Sequence, residues 1–228
     1  MSGVRKASRK NPARTRLDVD ERRAQLLALG VSHFGRTPYD DVSIDDIARA
    51  AGISKGLLYH YFPSKRRFFV EVVRAGAARM LLLTEPPPDE LRSRALSPRE
   101  RLAAGVEAYL AYVEGNARAY AWLLRSGIGI DAEVRDVLED ARRAIADRIV
   151  EGLGLTGAKT PPSIRIALRG WIGMVEAASL DWVEHRMDMR RSMLRDFLAA
   201  ALEGAILAVV DPAAIEAAAP FAIHETRT

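Results

Sequence analysis

Between residues 43 and 65 the chain carries helix-stop and helix-start residues so closely spaced that only two short helices and one sharp turn fit. Ser43 heads the run Ser43-Ile-Asp-Asp46. Its hydroxyl suits a helix N-cap and the acidic residue three places on faces the helix dipole, although Asp stands where a capping box uses Glu or Gln. Gly52 can take the left-handed conformation that ends a helix at about Ala51, and Ile53 can then fold back onto the core. Ser54 caps a third helix expected to reach Phe62, Pro63 closes it, and Ser64-Lys65 opens a fourth. Two short helices joined by about four residues including glycine form a helix-turn-helix unit, whose second member enters the major groove of DNA.

The apolar positions around this unit fit a small head. From Asp18, Leu26, Leu27, Gly30, Val31 and Phe34 recur at the three and four spacing of a first helix, with Gly35 as its stop. Ile44, Ile47, Ala48, Ala51, Ile53, Leu58 and Phe62 follow the same rule and are expected to pack the core. Lys55, Gly56, Leu57, Tyr59 and His60 fall around the exposed side of the recognition helix, where Gly56 allows close approach of backbone to DNA.

Beyond Ser64 the pattern stays helical. The fourth helix runs through Phe68, Phe69, Val72, Val73 and Met80 towards Leu83, until Glu85-Pro-Pro-Pro-Asp-Glu90 forces a loop over 85–97. Ser97-Pro98-Arg-Glu100 combines a cap, a first-turn proline and the capping-box glutamate. Further helices are expected to about Glu114, over Asn116–Arg125, Asp131–Leu153 and Ser163–Glu184, and over about 190–210. The class is therefore all-α, with about nine helices in a three-helix helix-turn-helix head and a larger body. The expected division is a disordered basic arm over 1–17, a DNA-binding head over 18–64, an effector-binding and dimerisation body over 65–210 and a C-terminal tail over 211–228.

Charge sets the head apart. Residues 1–74 carry fifteen Lys/Arg against eight Asp/Glu, whereas the rest carry nineteen against twenty-two, so the positive end is the one suited to a polyanion. Residues 1–16 alone hold six basic residues and no acidic one; the segment reads either as a tail or as an arm lying on DNA. Cysteine is absent, which excludes disulfides, thiolate metal sites and cysteine nucleophiles and makes a reducing cytoplasm the expected compartment. No apolar run approaches a membrane span and no secretion signal opens the chain. His33, His60, His185 and His224 share no ligand spacing, no nucleophile-elbow or phosphate-loop motif occurs, and neither metal, cofactor nor catalysis is expected.

The stretch Val42-Ser-Ile-Asp-Asp-Ile-Ala-Arg-Ala-Ala-Gly-Ile-Ser-Lys-Gly-Leu-Leu-Tyr-His-Tyr-Phe-Pro-Ser-Lys65 resembles the DNA-binding signature of the TetR family. The resemblance spans about residues 20–75 and rests on Ile47-Ala48, Ala51-Gly52, Ser54-Lys55-Gly56, Leu58-Tyr59, Tyr61-Phe62 and Lys65 occurring together. It implies that Ser43, Ser54, Lys55, Gly56, Leu57, Tyr59, His60, Tyr61 and Lys65 meet DNA, with Ser43 and Lys65 on phosphates. Tyr61 reads equally as a core aromatic. Leu57 stands where many relatives carry Thr; it cannot hydrogen-bond and offers only packing against a thymine methyl.

The resemblance further implies homodimerisation through the helices at about 163–186 and 190–210, a palindromic operator, and a small-molecule effector in each body. Gly170, Gly173 and Ala177 permit close helix approach, and Leu194, Phe197, Leu198, Ala201, Leu202, Ala205 and Leu207 form an apolar stripe that serves either an interface or the subunit's own core. Among the body's large side chains, Val106, Tyr109, Trp122, Trp171 and Met174 are the candidate effector contacts, with Arg125 to pair an acid group. The expected activity is ligand-responsive repression of transcription. The alternative is a non-specific nucleoid or RNA-binding protein, which would show salt-dependent binding without sequence preference.

Overall fold

The computed structural model describes residues 19–85, 96–126, 131–153 and 160–209, and within them it contains helices and no strand. Nine α-helices follow in order: α1 Val19–Phe34, α2 Ile44–Ala50, α3 Lys55–Tyr61, α4 Lys65–Leu83, α5 Pro98–Gly115, α6 Ala117–Ser126, α7 Ala132–Gly152, α8 Pro162–Glu184 and α9 Arg191–Val209, with a 3-10 turn at Tyr39–Asp41. The basic arm and the C-terminal tail expected from the sequence lie outside the described residues.

The caps act where the sequence places them. The Ser43, Ser54 and Ser64 hydroxyls accept from the amides of Asp46, Leu57 and Arg67 at 3.2, 3.1 and 3.0 Å, each worth roughly 1 kcal/mol. Gly52 has φ +66°, and the amides of Gly52 and Ile53 donate to the Arg49 and Ala48 carbonyls at 3.0 Å, both bonds of a Schellman ending. At α5 the Ser97 amide donates to Glu100 Oε2 at 2.6 Å while the Glu100 amide donates to Ser97 Oγ at 3.3 Å. The Ser97 amide, and then its hydroxyl, hold the Glu100 carboxyl below its usual range. Helix α3 ends one residue earlier than expected. Phe62 is extended, φ −136° and ψ 103°, because the Pro63 ring disfavours helical backbone in the residue before it.

Helix α1 lies on α4 and on α2, and α2 on α3. Leu26, Phe34, Ile47, Leu58, Phe62 and Phe68 are 3% exposed or less. This core is not closed by the first three helices. Phe68, Phe69, Val70, Val72 and Val73 of α4 and Val134 and Val137 of α7 complete it, so a body helix forms part of the head's floor. The second core joins Val106 and Leu110 of α5, Ile164, Leu168, Trp171 and Ile172 of α8, and Leu194, Leu198 and Leu202 of α9.

The apolar stripe of α9 divides between two uses. Leu194, Leu198 and Leu202 are buried within the subunit, whereas Met193, Phe197 and Leu207 are 49–55% exposed. Gly170 and Gly173 on α8 and Gly204 on α9 are also exposed, and a Cβ at any of them would meet nothing within 4 Å.

Charge ties head to body along one edge. Arg66 forks onto Asp131 at 2.7 and 2.9 Å and reaches Glu133 at 3.3 Å. Arg67 bridges Glu133 at 2.9 Å and Glu71 at 3.1 Å, and Arg23 of α1 meets Glu71 at 2.6 Å. The clasp thus runs from α1 through the first turns of α4 to the first turn of α7.

Candidate functional site

Helix α3 presents Ser54, Lys55, Gly56, Leu57 and His60 as an exposed surface. Two of its buttresses are polar. Lys55 Nζ pairs with Asp45 at 2.8 Å, tying α3 to α2, and Lys65 Nζ donates to the Asp40 carbonyl at 2.9 Å while lying 4.9 Å from the Tyr39 ring centroid. The hydrogen bond that Lys55 donates to Asp45, together with the charge of Asp45, raises the Lys55 pKa, so the ammonium stays charged. The Ser43 and Ser54 hydroxyls accept their capping bonds through a lone pair, which leaves each proton free to donate to an oxygen outside the helix.

Tyr59 and Tyr61 are partly buried and pack against the head core, with the Tyr61 ring 6.4 Å from Phe62 and 6.0 Å from His60. Each therefore has an apolar body turned inward, as an amphipathic aromatic at an interface does. The Leu57 side chain, 40% exposed, is the apolar member of an otherwise polar face.

A cavity of about 1160 Å³ runs beneath the head. Its blind end is walled by Val31 and Phe34 of α1, by Gly35 just beyond it, and by Phe69, Val72 and Val73 of α4, five of these six buried. Its other end, at Glu85, Ser97, Arg99, Glu151 and Gly152, consists of residues exposed to solvent. The α4 wall from Phe69 to Thr84 is about 22 Å long at the ~1.5 Å rise of a helix. Near the open end the Arg101 and Arg148 guanidinium groups donate to the Leu96 and Leu81 carbonyls at 2.8 and 2.7 Å. Arg99, by contrast, pairs with Glu203 at 3.3 Å.

Polar groups return half-way along. The Tyr109 and Tyr120 hydroxyls stand 2.6 Å apart, and Tyr120 also reaches the Glu176 carbonyl oxygen at 3.3 Å. Burial pushes both phenols well above their usual pKa, so each keeps its proton. Tyr112 donates to the Gly76 carbonyl at 3.1 Å. Arg142 forks onto the Glu176 carboxylate at 2.8 and 3.0 Å, and Glu139 joins Arg142 to Arg169.

Of the candidate effector contacts, Val106, Tyr109, Trp122 and Trp171 line the cavity, and Met174 does not. Met174 lies instead among the side chains packed on the second core, since a Met at helical spacing fills a core as readily as a pocket. The Arg125 side chain lies outside the described residues. Trp171 Nε1 donates to the Leu198 carbonyl at 2.8 Å and Trp122 packs edge-on against Phe69 at 5.3 Å. Sequence reasoning missed the α7 wall, Leu138, Ala141, Arg142, Ile145 and Arg148. That helix reads as a charged surface, and nothing local marks which of its arginines turns inward. Among the described residues no group of three or more His, Asp or Glu could hold a metal ion, and no helix is long and apolar enough to cross a membrane.

Residues 26–72 match the family described as bacterial regulatory proteins, tetR family, and residues 98–208 match the tetracyclin repressor-like C-terminal domain. The transcriptional activator FasR of Mycolicibacterium smegmatis is 26% identical over 204 residues, covering 90% of this chain and 88% of its own length. A TetR-family regulator from Streptomyces coelicolor superposes with a TM-score of 0.75 at 26% identity, over 89% of this chain and 86% of that one. FadR of Bacillus subtilis, solved in complex with stearoyl-CoA, shares the fold with a TM-score of 0.63 at 16% identity, over 78% and 96%.

Proposed function

The chain belongs to the TetR family of bacterial regulatory proteins, a family of DNA-binding transcriptional regulators, and we propose that this member is a homodimer that releases a palindromic operator when an elongated amphiphile enters the body. The observation that carries the ligand response is the cavity's shared wall: Val31, Phe34 and Gly35 belong to the head, and α4 and α7 belong to both head and body. An occupant that reaches the blind end pushes on the helices that hold α3. A change in separation of the two recognition helices from the roughly 34–36 Å repeat of the major groove removes simultaneous contacts. A coupling of only ~1–3 kcal/mol changes affinity about fivefold to a hundredfold.

The DNA contacts in this reading are Ser43, Ser54, Lys55, Gly56, Leu57, Tyr59, His60, Tyr61 and Lys65. The exposed apolar residues Met193, Phe197 and Leu207, with Ile166 and the glycines of α8, supply a self-complementary face, and a two-fold dimer matches a palindrome. The effector would lay its apolar body between Trp122, Trp171 and the α4 wall and set an anionic head against Arg101 and Arg148. Stearoyl-CoA, the molecule held by FadR, is an amphiphile of that kind. Bound at a promoter, the dimer blocks transcription.

Selection of duplexes from a random-sequence pool at physiological salt tests the DNA half. A recovered palindrome is expected; retention of DNA without a motif would shift the reading to a non-specific binder. Fatty acids and their thioesters, titrated against the selected duplex, then test release.

A further inference from the structure

A carboxylate stands on the face proposed to meet DNA. Lys55, the first residue of α3, donates from Nζ to Asp45 Oδ2 of α2 at 2.8 Å. The pair joins two helices, unlike Asp46 and Arg49, which close on each other within α2 at 2.6 Å. Both partners are half exposed, 50% and 54%, and an ion pair so open to water adds little to the stability of a fold. Near phosphates the arrangement is unfavourable twice over. Asp45 repels them, and it cancels much of the charge with which Lys55 would attract them. As a phosphate contact, Lys55 is weakened by such a neighbour.

Base edges offer what phosphates do not. The N-terminal residues of a recognition helix are the ones that reach them in the major groove, and Lys55 holds that place. Its ammonium has two protons beyond the one given to Asp45, and the carboxylate has a second oxygen. In a G·C pair, guanine shows two acceptors, N7 and O6, and cytosine beside it shows the N4 amino donor; lysine suits the first two and aspartate the third. O6 and N4 are themselves joined by a hydrogen bond of about 2.9 Å. An ammonium and a carboxylate held 2.8 Å apart match that spacing with the opposite polarity. An A·T pair sets its one donor, adenine N6, between the acceptors N7 and thymine O4, so a carboxylate placed there meets an acceptor on either side.

We propose that Asp45 and Lys55 together read one G·C pair in each half-site of the operator, Lys55 donating to guanine O6 and N7 and Asp45 accepting from cytosine N4. The inference rests on the reading of α3 as the helix that enters the major groove. It adds a residue of α2 to the base contacts, and it makes the ion pair a specificity device in place of a backbone anchor.

Duplexes selected from a random-sequence pool by the full chain supply the operator. Selection is repeated with Asp45→Ala and Lys55→Met, whose folds are checked by circular dichroism. The parent is expected to require a G·C pair at one position of each half-site, where A·T lowers affinity about five- to a hundredfold, the worth of one good base contact. In both variants that ratio should fall towards one while the other positions of the motif keep theirs. If the parent recovers no motif, the DNA reading falls and the shared readout with it. If it recovers a motif that both variants retain at every position, the readout is refuted and the sequence-specific regulator stands. A uniform gain in affinity with a steeper salt slope for Asp45→Ala would then mark Lys55 as a phosphate contact. Loss in one variant alone assigns the base pair to a single residue and also refutes the proposal.

Discussion

Gly30 sits where α1 crosses α4, and substituting it sets two effects of opposite sign against each other. Alanine in a helix interior is favoured over glycine by about 0.5–1 kcal/mol. At this position, however, a Cβ would lie 2.4 Å from Val72 Cγ2 and 2.8 Å from Phe68 Cζ, against ~3.5–4.0 Å for relaxed carbon contacts. Phe68 is fully buried and Val72 nearly so, so neither can simply swing into solvent. Overpacking of this kind costs about 1–3 kcal/mol, which leaves Gly30→Ala less stable by roughly 1–2 kcal/mol after the propensity gain. For a chain of this size about 2–4 °C accompanies each kcal/mol, so the expected loss is about 2–8 °C in Tm at fixed protein concentration. The same substitution made in a Val72→Ala background meets less obstruction and should cost about 1 kcal/mol less, a coupling that denaturant unfolding of the four proteins resolves. A Gly30→Ala chain more stable than its parent, or an equal cost in both backgrounds, would refute the close-approach argument.

Other perturbations separate surface from core. Tyr59→Ala should abolish selective operator binding in a gel-shift assay while leaving the fold intact, whereas Phe62→Ala, at a residue 1% exposed with its ring 4.7 Å from Phe68, should cost about 3–5 kcal/mol; exchange of those phenotypes would overturn the inside–outside assignment of α3. Phe197→Arg on the exposed face of α9 should yield monomers by sedimentation and weaken operator binding, and an unchanged dimer would move the interface away from that face. Burial pulls the Asp131 carboxyl up, but Arg66 and the amides of Val134 and Glu133 outweigh it and hold the carboxyl below its usual value. A depressed carboxylate contributes stability above its unfolded pKa and loses it as pH falls through the folded one. Arg66→Ala should therefore lower Tm at neutral pH and make its fall with acid shallower, the two proteins converging below about pH 4, and an unchanged neutral-pH Tm, or a difference that does not shrink in acid, would show that the pair does not form in solution.

Much of the head was legible because its instructions are local. Ser43, Gly52, Ser54 and Ser64 act within a few residues of themselves, and period alone placed Leu26, Ile47, Leu58 and Phe62 inside. The body was legible as helices and less so as a cavity. Val106, Tyr109, Trp122 and Trp171 were found because bulk is visible in sequence. Arg142, Arg148 and Glu176 take their roles from partners 34 and 67 residues away, and no spacing announces such pairs. The left-handed pair Arg186 and Met187, both at φ 59°, ends α8 without glycine; it is held by the Met187 amide on the Trp182 carbonyl at 2.8 Å and by Trp182 Nε1 on the Met189 carbonyl at 2.7 Å. On α9, Phe197 is exposed although it shares an apolar stripe with the buried Leu194, Leu198 and Leu202, and period alone does not separate the two sides of such a stripe.

The clasp of Arg23, Arg66 and Arg67 with Glu71, Asp131 and Glu133 has a consequence for how DNA affinity is counted. The slope of log affinity against log salt is ordinarily taken as a tally of neutralised phosphates. In this chain salt also loosens the partly exposed pairs that fix the head on α7, and a looser head pays more to be ordered on DNA. The expected slope is then steeper than the number of phosphate contacts alone would give, and titrations of Asp131→Asn alongside the parent would give the correction.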